Sequence, residues 1–549
     1  MKQRNEGKKL NNFIVQGGIL ALSGVLVRLL GLAKRIPLTY IIGDLGNSYY
    51  SAAYDIYNIV FTIAVYGIPL SVSKLVSARV SKGQYKNANK IFKCTMVFSL
   101  VMGFISSLLV FIFADSLSAM LNEPMSFMAL RVLSPTLLVV AVMATFRGYF
   151  QGMGSMVPTA ISQLLEQVVL IIVSLTAAFF LGKYGYKVGL LLHNSKYENA
   201  YGAAGATLGC SIGALFSLIF LFILYKKYKV KLEKQMYRDN TIQIESTLSV
   251  YKTLIFTIVP VVVSSFVNNI SNFLDHFIHN AILPKIGMEE QMSVNWGIYS
   301  GKYIMLVNVP IAISAAMGAS SVPTISGLMR CEEYGEVREK ISKVIKVTMM
   351  IAIPCAVGLF VLAPELIWCL FSTTEPLAPS LVRIGAIMVV FFSLSTLTNG
   401  ILQGMSHMIK PITHALLALA VHVPLLCLLL FFTDLNTKAV ALSNDVFSLL
   451  ICIMNIIAIR KAVGYVQEFR YTFIMPFVSA GIMGAVLFGL NKVFMHNGYS
   501  RVFIILEIFI GALVYFIAML LTKSVTREEI LSLPGGSRLA RVLTKLHII

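Results

Sequence analysis

Three cations, Arg28, Lys34 and Arg35, stand inside a run that otherwise reads as a membrane-spanning helix, from Val25 to Pro37. Arg28 and Arg35 are two helical turns apart, and Gly24 and Gly31 fall on the same face, so cations and glycines share one stripe. Leu26, Leu29, Leu30 and Leu32 fill most of the remaining surface. A charge at membrane depth costs several kcal/mol, and such residues face a bundle interior or a watery cavity. If the helix stopped at Leu32, Lys34 and Arg35 would be ordinary flanking anchors, but Ile36 to Gly43 would be left too short to span. A helix from Leu10 to Gly43 would be about 50 Å long, well beyond a ~30 Å hydrocarbon core.

Five more charges fall inside apolar segments: Asp55, Glu166, Asp275, Lys302 and Asp445. Lys302 sits among small residues, Ser300-Gly301-Lys302, in a setting like that of Arg28. Arg28, Lys34, Arg35 and Lys302 are therefore the candidate substrate-binding set. Together they would make a cationic cavity suited to a phosphate or diphosphate, with arginine giving planar bidentate hydrogen bonds and lysine a point charge. The plainer alternative is structural, each cation paired with an acid, Arg28 or Lys34 with Asp55 for example. Asp275 and Asp445 are candidate ion-coupling residues, binding Na⁺ or relaying H⁺, with His279 one turn after Asp275 and Asn444 beside Asp445. Their alternative role is interhelical hydrogen bonding. His414 and His422 read as packing residues rather than metal ligands. No nucleotide-binding loop, nucleophile motif or metal signature is present, so no catalytic residue, enzyme activity, metal or cofactor beyond a coupling Na⁺ or H⁺ is expected.

These residues must be positioned by membrane helices. The chain has 549 residues, 57% hydrophobic and 13% charged, with a mean hydropathy of +0.79. Apolar runs long enough to span recur throughout, which makes this an all-α polytopic membrane protein. Fourteen segments are predicted: 12–43, 48–80, 89–113, 125–150, 155–182, 201–225, 248–283, 296–328, 340–362, 378–403, 409–432, 437–460, 471–494 and 500–522. No cleavable signal peptide is expected. The seven cysteines have no CxxC spacing, and neither disulfides nor a metal site is suggested. The net charge of +20 belongs to topology, not nucleic acid. Lysines and arginines crowd the N-terminus, the 79–93 loop, 226–238, 338–346 and the tail, and are sparse on alternate loops. Both termini are therefore expected in the cytoplasm.

The sequence also repeats. Arg131, Gly148 and Gln151-Gly152-Met153 recur as Arg383, Gly400 and Gln403-Gly404-Met405, each 252 residues on. Pro69 and Pro310 interrupt corresponding long segments. An even number of spans separates the copies, so the repeat is parallel. The expected organisation is an N-terminal lobe over 1–225, a cytoplasmic linker over 226–247, a C-terminal lobe over 248–460, and two further helices with a basic tail over 461–549.

The stretch Arg28-Leu-Leu-Gly31-Leu-Ala-Lys34, the segment Gly67-Ile-Pro-Leu-Ser-Val-Ser-Lys74, and Phe146-Arg-Gly-Tyr-Phe-Gln-Gly152 followed by Pro158 to Gln167 carry a resemblance. The chain resembles the multidrug/oligosaccharidyl-lipid/polysaccharide exporter superfamily, in its stage V sporulation protein B and lipid II flippase branch. The resemblance implies two parallel six-helix lobes in a V shape plus two C-terminal helices that help form a lipid-tail groove. It implies a monomer in the bacterial inner membrane that moves an undecaprenyl-diphosphate-linked peptidoglycan precursor outward by alternating access, with envelope-synthesis proteins as potential partners. Family cavity arginines map onto Arg28, Lys34 and Lys302, whereas a further one has no basic counterpart near Asn58. The alternatives are a polysaccharide-repeat-unit exporter or a cation-coupled multidrug exporter of the same superfamily.

Overall fold

The computed structural model of the protein describes residues 2–241, 243–495 and 500–522. The expected basic tail beyond 522 lies outside the described residues. Among those described there are helices and no strands. In order they are α1 (Lys2–Phe61), α2 (Ile68–Val80), α3 (Tyr85–Ile112), α4 (Ala114–Met120), α5 (Phe127–Gly152), α6 (Val157–Leu191), α7 (Lys196–Tyr237), α8 (Thr247–Ile282), α9 (Glu289–Ile298) and α10 (Ile304–Arg330). The remainder are α11 (Tyr334–Val361), α12 (Ala363–Phe371), α13 (Leu377–Ile384), α14 (Ala386–Gly404), α15 (Ile409–Phe432), α16 (Thr437–Val463), α17 (Met475–Met495) and α18 (Arg501–Leu521).

Thirteen of the described stretches are long and apolar enough to cross a membrane. One of them, Leu26–Val80, has 55 residues, about 80 Å of helix and enough for two crossings. It turns at Gly43, whose φ of 67° and ψ of −177° are open to glycine almost alone. The protein is thus a multi-pass, all-helical membrane protein of about fourteen crossings, as the hydropathy predicts.

The helices follow membrane logic, with small and polar residues inward and large apolar ones outward. On α3, Thr95, Ser99, Gly103 and Ser106 are buried while Leu100, Phe104 and Leu108 are exposed. Ser99 Oγ and Thr145 Oγ1 of α5 meet at 2.6 Å. By packing, the described chain falls into two compact units, one built from residues up to 301 with 430–433, the other from 302–429 and from 434 onward. Each carries one copy of the glycine pair. In the first, a Cβ on Gly148 would lie 2.6 Å from the Pro69 carbonyl oxygen and one on Gly152 2.7 Å from Val76 Cβ, so α5 packs closely on α2. In the second, Gly400 and Gly404 of α14 abut Gly318 and Val322 of α10 in the same way, both at 3.1 Å.

The segment between α7 and α8 is shorter than the expected 226–247, because α7 remains helical to Tyr237. This short connection is clamped to the turn between α2 and α3. Arg79 Nε donates to Glu245 Oε1 at 2.5 Å, Asn87 Nδ2 donates to the Gln243 carbonyl, and the Glu245 N–H donates to Asn87 Oδ1. Asp239 caps α3, its Oδ2 accepting the Lys86 N–H at 2.7 Å while Oδ1 accepts from Thr241. Burial alone would raise the Asp239 pKa, but these hydrogen bonds outweigh it and hold the carboxyl below its ordinary 3.8. A depressed folded value makes the clamp fully formed above the unfolded pKa and lost as pH falls through the lower, folded one. Hydrogen-exchange protection of the 84–90 peptide, corrected for intrinsic rates, should therefore drop only below about pH 4. Asp239→Asn should show the weaker protection at every pH.

Candidate functional site

In the first unit the cations of α1 do not form one array. Arg28 is exposed on the helix surface, and Gly31 on its stripe faces Gln167 of α6, where a Cβ would come within 3.3 Å. Lys34 is 6% exposed, and its Nζ donates to the Tyr50 hydroxyl at 3.4 Å from 5.3 Å above the ring centroid. Arg35 takes the same ring at 5.5 Å and donates from Nη1 to the Ser300 carbonyl at 3.2 Å. Two adjacent cations thus share one aromatic partner, and among the described residues no carboxylate pairs with Lys34. Tyr50 begins a ladder along the second half of α1, Tyr50, Tyr54, Tyr57 and Phe61, with successive centroids 5.7 to 5.8 Å apart. That spacing of three and four is visible in the sequence as one helical stripe.

Asp55 pairs with neither Arg28 nor Lys34. His276 of α8, 221 residues away, donates from Nδ1 to Asp55 Oδ2 at 2.8 Å. The His276 side chain is fully buried and stacks on Trp296 of α9 with centroids 4.2 Å apart. Trp296 Nε1 in turn donates to Ser51 Oγ at 3.4 Å. A buried acid, Glu123, lies in the same unit, accepting from Ser48 Oγ at 2.7 Å and from Asn280 Nδ2 at 3.4 Å. Burial pushes the Glu123 carboxyl up, against the pull of those hydrogen bonds and of His276. Asn280 Nδ2 also donates to the Leu121 carbonyl, and Asn122 Nδ2 to the Asn280 carbonyl, both at 2.8 Å. This network ties α1 to α8 and α9. Nothing in the sequence singles out Glu123 or His276, since hydropathy passes over a single polar residue in a turn or a helix.

Glu166 is also paired. Arg147 Nη2 donates to its Oε2 at 2.6 Å and to Ser217 Oγ at 3.1 Å, while Arg147 Nε donates to Ser162 Oγ. Asp275 is buried, at 2% exposure, in the same unit as Arg28, Lys34 and Arg35.

The second unit holds Lys302 and Asp445. Lys302, 4% exposed, lies in a π-helical turn, Tyr299–Tyr303, with its Nζ 6.0 Å from the Phe371 centroid. A second π turn, Thr62–Tyr66, precedes Pro69 as this one precedes Pro310. Such turns recur at functional sites and accommodate a kink without orphaning backbone groups. Asp445 of α16 is 5% exposed, and its Oδ1 has no hydrogen-bond partner. Asp275 and Asp445, expected in one lobe, thus belong to different units. His414 Nδ1 meets Asn455 and His422 Nδ1 meets the Ser443 carbonyl, in keeping with packing roles. Among the described residues no group of three or more His, Cys, Asp or Glu side chains could hold a metal ion.

Comparison with known proteins gives these features a family. The lipid II flippase MurJ of Bacillus subtilis (strain 168) is 28% identical over 435 residues, 75% of this chain and 77% of that protein. Stage V sporulation protein B of the same organism is 24% identical over 532 residues, 95% of this chain and 97% of the relative. Among solved structures, a lipid II flippase MurJ in an inward closed conformation superposes with a TM-score of 0.65 at 13% identity, covering 91% of this chain and 97% of the other. An inward-facing multidrug resistance transporter of the MATE family, in the MOP superfamily, gives 0.65 at 14% identity, with 80% of this chain and 98% of that one covered. The fold is therefore the one those two transporters have in common. The polysaccharide biosynthesis protein family model matches residues 14–329, more than half of the sequence, and the chain belongs to that family.

Proposed function

We propose that this protein is a flippase that carries a polyprenyl-diphosphate-linked glycan of the lipid II type from the inner to the outer leaflet of a bacterial inner membrane. The observation that carries this reading is Lys34, buried in an α1 crossing against the Tyr50 hydroxyl and ring, with no carboxylate paired to it among the described residues. A desolvated cation without a counter-ion is suited to an anion that arrives with the cargo. Arg28, Lys34 and Arg35 of the first unit and Lys302 of the second are the residues assigned to the diphosphate. The apolar cleft of about 530 Å³ lined by Pro310, Pro354, Leu487 and Tyr515, between α10, α11, α17 and α18, suits the prenyl tail. Asp445, with its orphaned buried oxygen, and Asp275 are assigned to a coupling Na⁺ or H⁺. Both termini lie in the cytoplasm on this reading. A polysaccharide-repeat-unit carrier is the second reading, favoured by the family's description.

Complementation of cells depleted of their own lipid II flippase tests the proposal. The parent chain should rescue growth. Each lost charge-assisted contact should weaken cargo binding by about 1.5–3 kcal/mol, roughly ten- to a hundredfold. Lys302→Arg should retain function, and Arg28→Ala/Lys302→Ala should lose it at unchanged membrane levels. Full rescue by the double variant would remove the cation assignment. Rescue that fails for the parent but succeeds in a repeat-unit export strain would favour the second reading. In vesicles with imposed Na⁺ and proton gradients, Asp445→Asn and Asp275→Asn should blunt the gradient dependence of flipping, and unchanged dependence in both would remove the coupling role.

A further inference from the structure

The internal repeat places an arginine at Arg131 in the first unit and at Arg383 in the second, 252 residues apart, but the two are satisfied differently. Arg131 Nη2 donates to Asp115 Oδ2 at 2.5 Å, and its guanidinium lies 5.0 Å from the Phe127 ring centroid and 5.9 Å from that of Phe111. The residue 250 positions after Asp115 is Glu365, at the start of α12 as Asp115 is at the start of α4. Glu365 does not turn to Arg383. It is buried, its Oε2 lacks a partner, and its helix packs on α18. Among the described residues no carboxylate pairs with Arg383, which is exposed on α13.

Arg383 stands at an apolar cleft of about 610 Å³ walled by α11, α14 and α17, with Ile353, Val357, Phe360, Ile387, Phe473 and Phe477 among its lining. Phe360, Ile387 and Phe477 are themselves largely exposed, so the cleft opens outward from the second unit. It is distinct from the cleft assigned to the prenyl tail, which adjoins α18. An unpaired guanidinium at the mouth of an otherwise apolar cleft matches one amphiphile, an anion on a hydrocarbon chain. Arginine binds phosphate bidentately, and the apolar lining gives an acyl chain a surface to pack against by van der Waals contact. Basic pockets between membrane helices are used in this way for anionic headgroups. The plain alternative is that Arg383 merely extends to the interface to stay hydrated.

We propose that this cleft binds one anionic bilayer phospholipid, its phosphate on Arg383 and an acyl chain between Phe360, Ile387 and Phe477, so that the lipid fastens α17 to α11 and α14. Where the first unit closes the position with Asp115, the second closes it with a lipid phosphate.

The test uses the full chain purified in a neutral detergent, with thermal unfolding followed as phosphatidylglycerol is titrated in. The parent should be stabilised saturably, and phosphatidylcholine should do so more weakly. Arg383→Gln should keep the lipid-free midpoint and raise the half-saturating phosphatidylglycerol concentration about tenfold or more, one contact's worth. Arg383→Lys, which keeps the charge but loses the bidentate fork, should fall between the parent and Arg383→Gln. Ile387→Trp, which fills the cleft while leaving the arginine, should abolish the saturable shift. Arg131→Gln should do the reverse, lowering the lipid-free midpoint while leaving the lipid response intact. Equal responses from the parent, Arg383→Gln and Ile387→Trp would overturn the site and leave Arg383 as an interfacial anchor. Displacement of phosphatidylglycerol by polyprenyl phosphate at the same residues with higher affinity would overturn the occupant, marking the cleft as a second place for the cargo tail.

Discussion

Gly297→Ala is expected to unseat α9 from α1. A Cβ at this position would lie 1.7 Å from the carbonyl oxygen of Asp44 and 2.6 Å from its carbonyl carbon. Both are backbone atoms just past the Gly43 turn, so no side chain can rotate away and one helix must retreat from the other. Overpacking of this kind costs about 1–3 kcal/mol, and the rigid obstacle puts this case at about the upper end. The neighbouring residue reports the change, because Trp296 is buried in the same contact and Trp368 is the other of the chain's two tryptophans. In a Trp368→Phe background, Gly297→Ala should red-shift the Trp296 emission and lower the thermal midpoint. Gly481→Ala, where nothing lies within 4 Å of the added Cβ, should do neither. An unshifted spectrum in Gly297→Ala would mean that α9 does not rest on the Asp44 carbonyl.

The second large effect is expected at the Asp55–His276 pair. His276→Ala removes a hydrogen bond to a half-buried carboxylate and the ring filling the space between Asp55 and Trp296. A bond to a charged group contributes about 1.5–3 kcal/mol, and the cavity adds to the loss. Together they should lower stability by about 3–4 kcal/mol, a fall of roughly 5–10 °C in the unfolding midpoint. His276→Asn, whose amide nitrogen can stand where Nδ1 stands, should recover part of it. The decisive measurement is a double-mutant cycle with Asp55→Asn. Direct contact should give an interaction energy of about 1.5 kcal/mol or more, whereas additivity within about 0.5 kcal/mol would deny the pairing. Because this contact joins α1 to α8, the same variants should also alter cargo transport if α8 moves against α1 during the cycle.

Much of this architecture is written locally. Apolar runs of spanning length are a property of each segment alone, and hydrocarbon solvent leaves helices as the one open-ended structure that satisfies their backbone. The class and the approximate number of crossings are therefore legible in the sequence, as is the turn at Gly43 once two spans are read as one 55-residue stretch. The repeat is legible for a similar reason. Gly148 and Gly400 must be small because another helix's backbone lies against them, and that constraint leaves the same residue 252 positions on. That Arg28, Lys34, Arg35 and Lys302 fall within apolar segments of spanning length needs no tertiary information either.

Which groups neutralise which charges is another matter. Asp55 could be assigned to Arg28 or Lys34 because they are near in sequence, yet its partner is a histidine 221 residues away. Lys34 instead meets Tyr50, and Glu166 meets Arg147 rather than any α1 cation. Glu123, in a turn with no periodicity, becomes a buried acid only because α1 and α8 close over it. Asp115 and Glu365 occupy matching places in the two repeats, but only Asp115 reaches its arginine, while Glu365 lies on α12, which packs on α18. Hydropathy and the 3.6-residue period set where a charge sits along its helix, and both are properties of the chain. The partner is set by which distant helix packs against that face, and a short-range electrostatic contact a few ångströms across leaves no periodic trace in the chain.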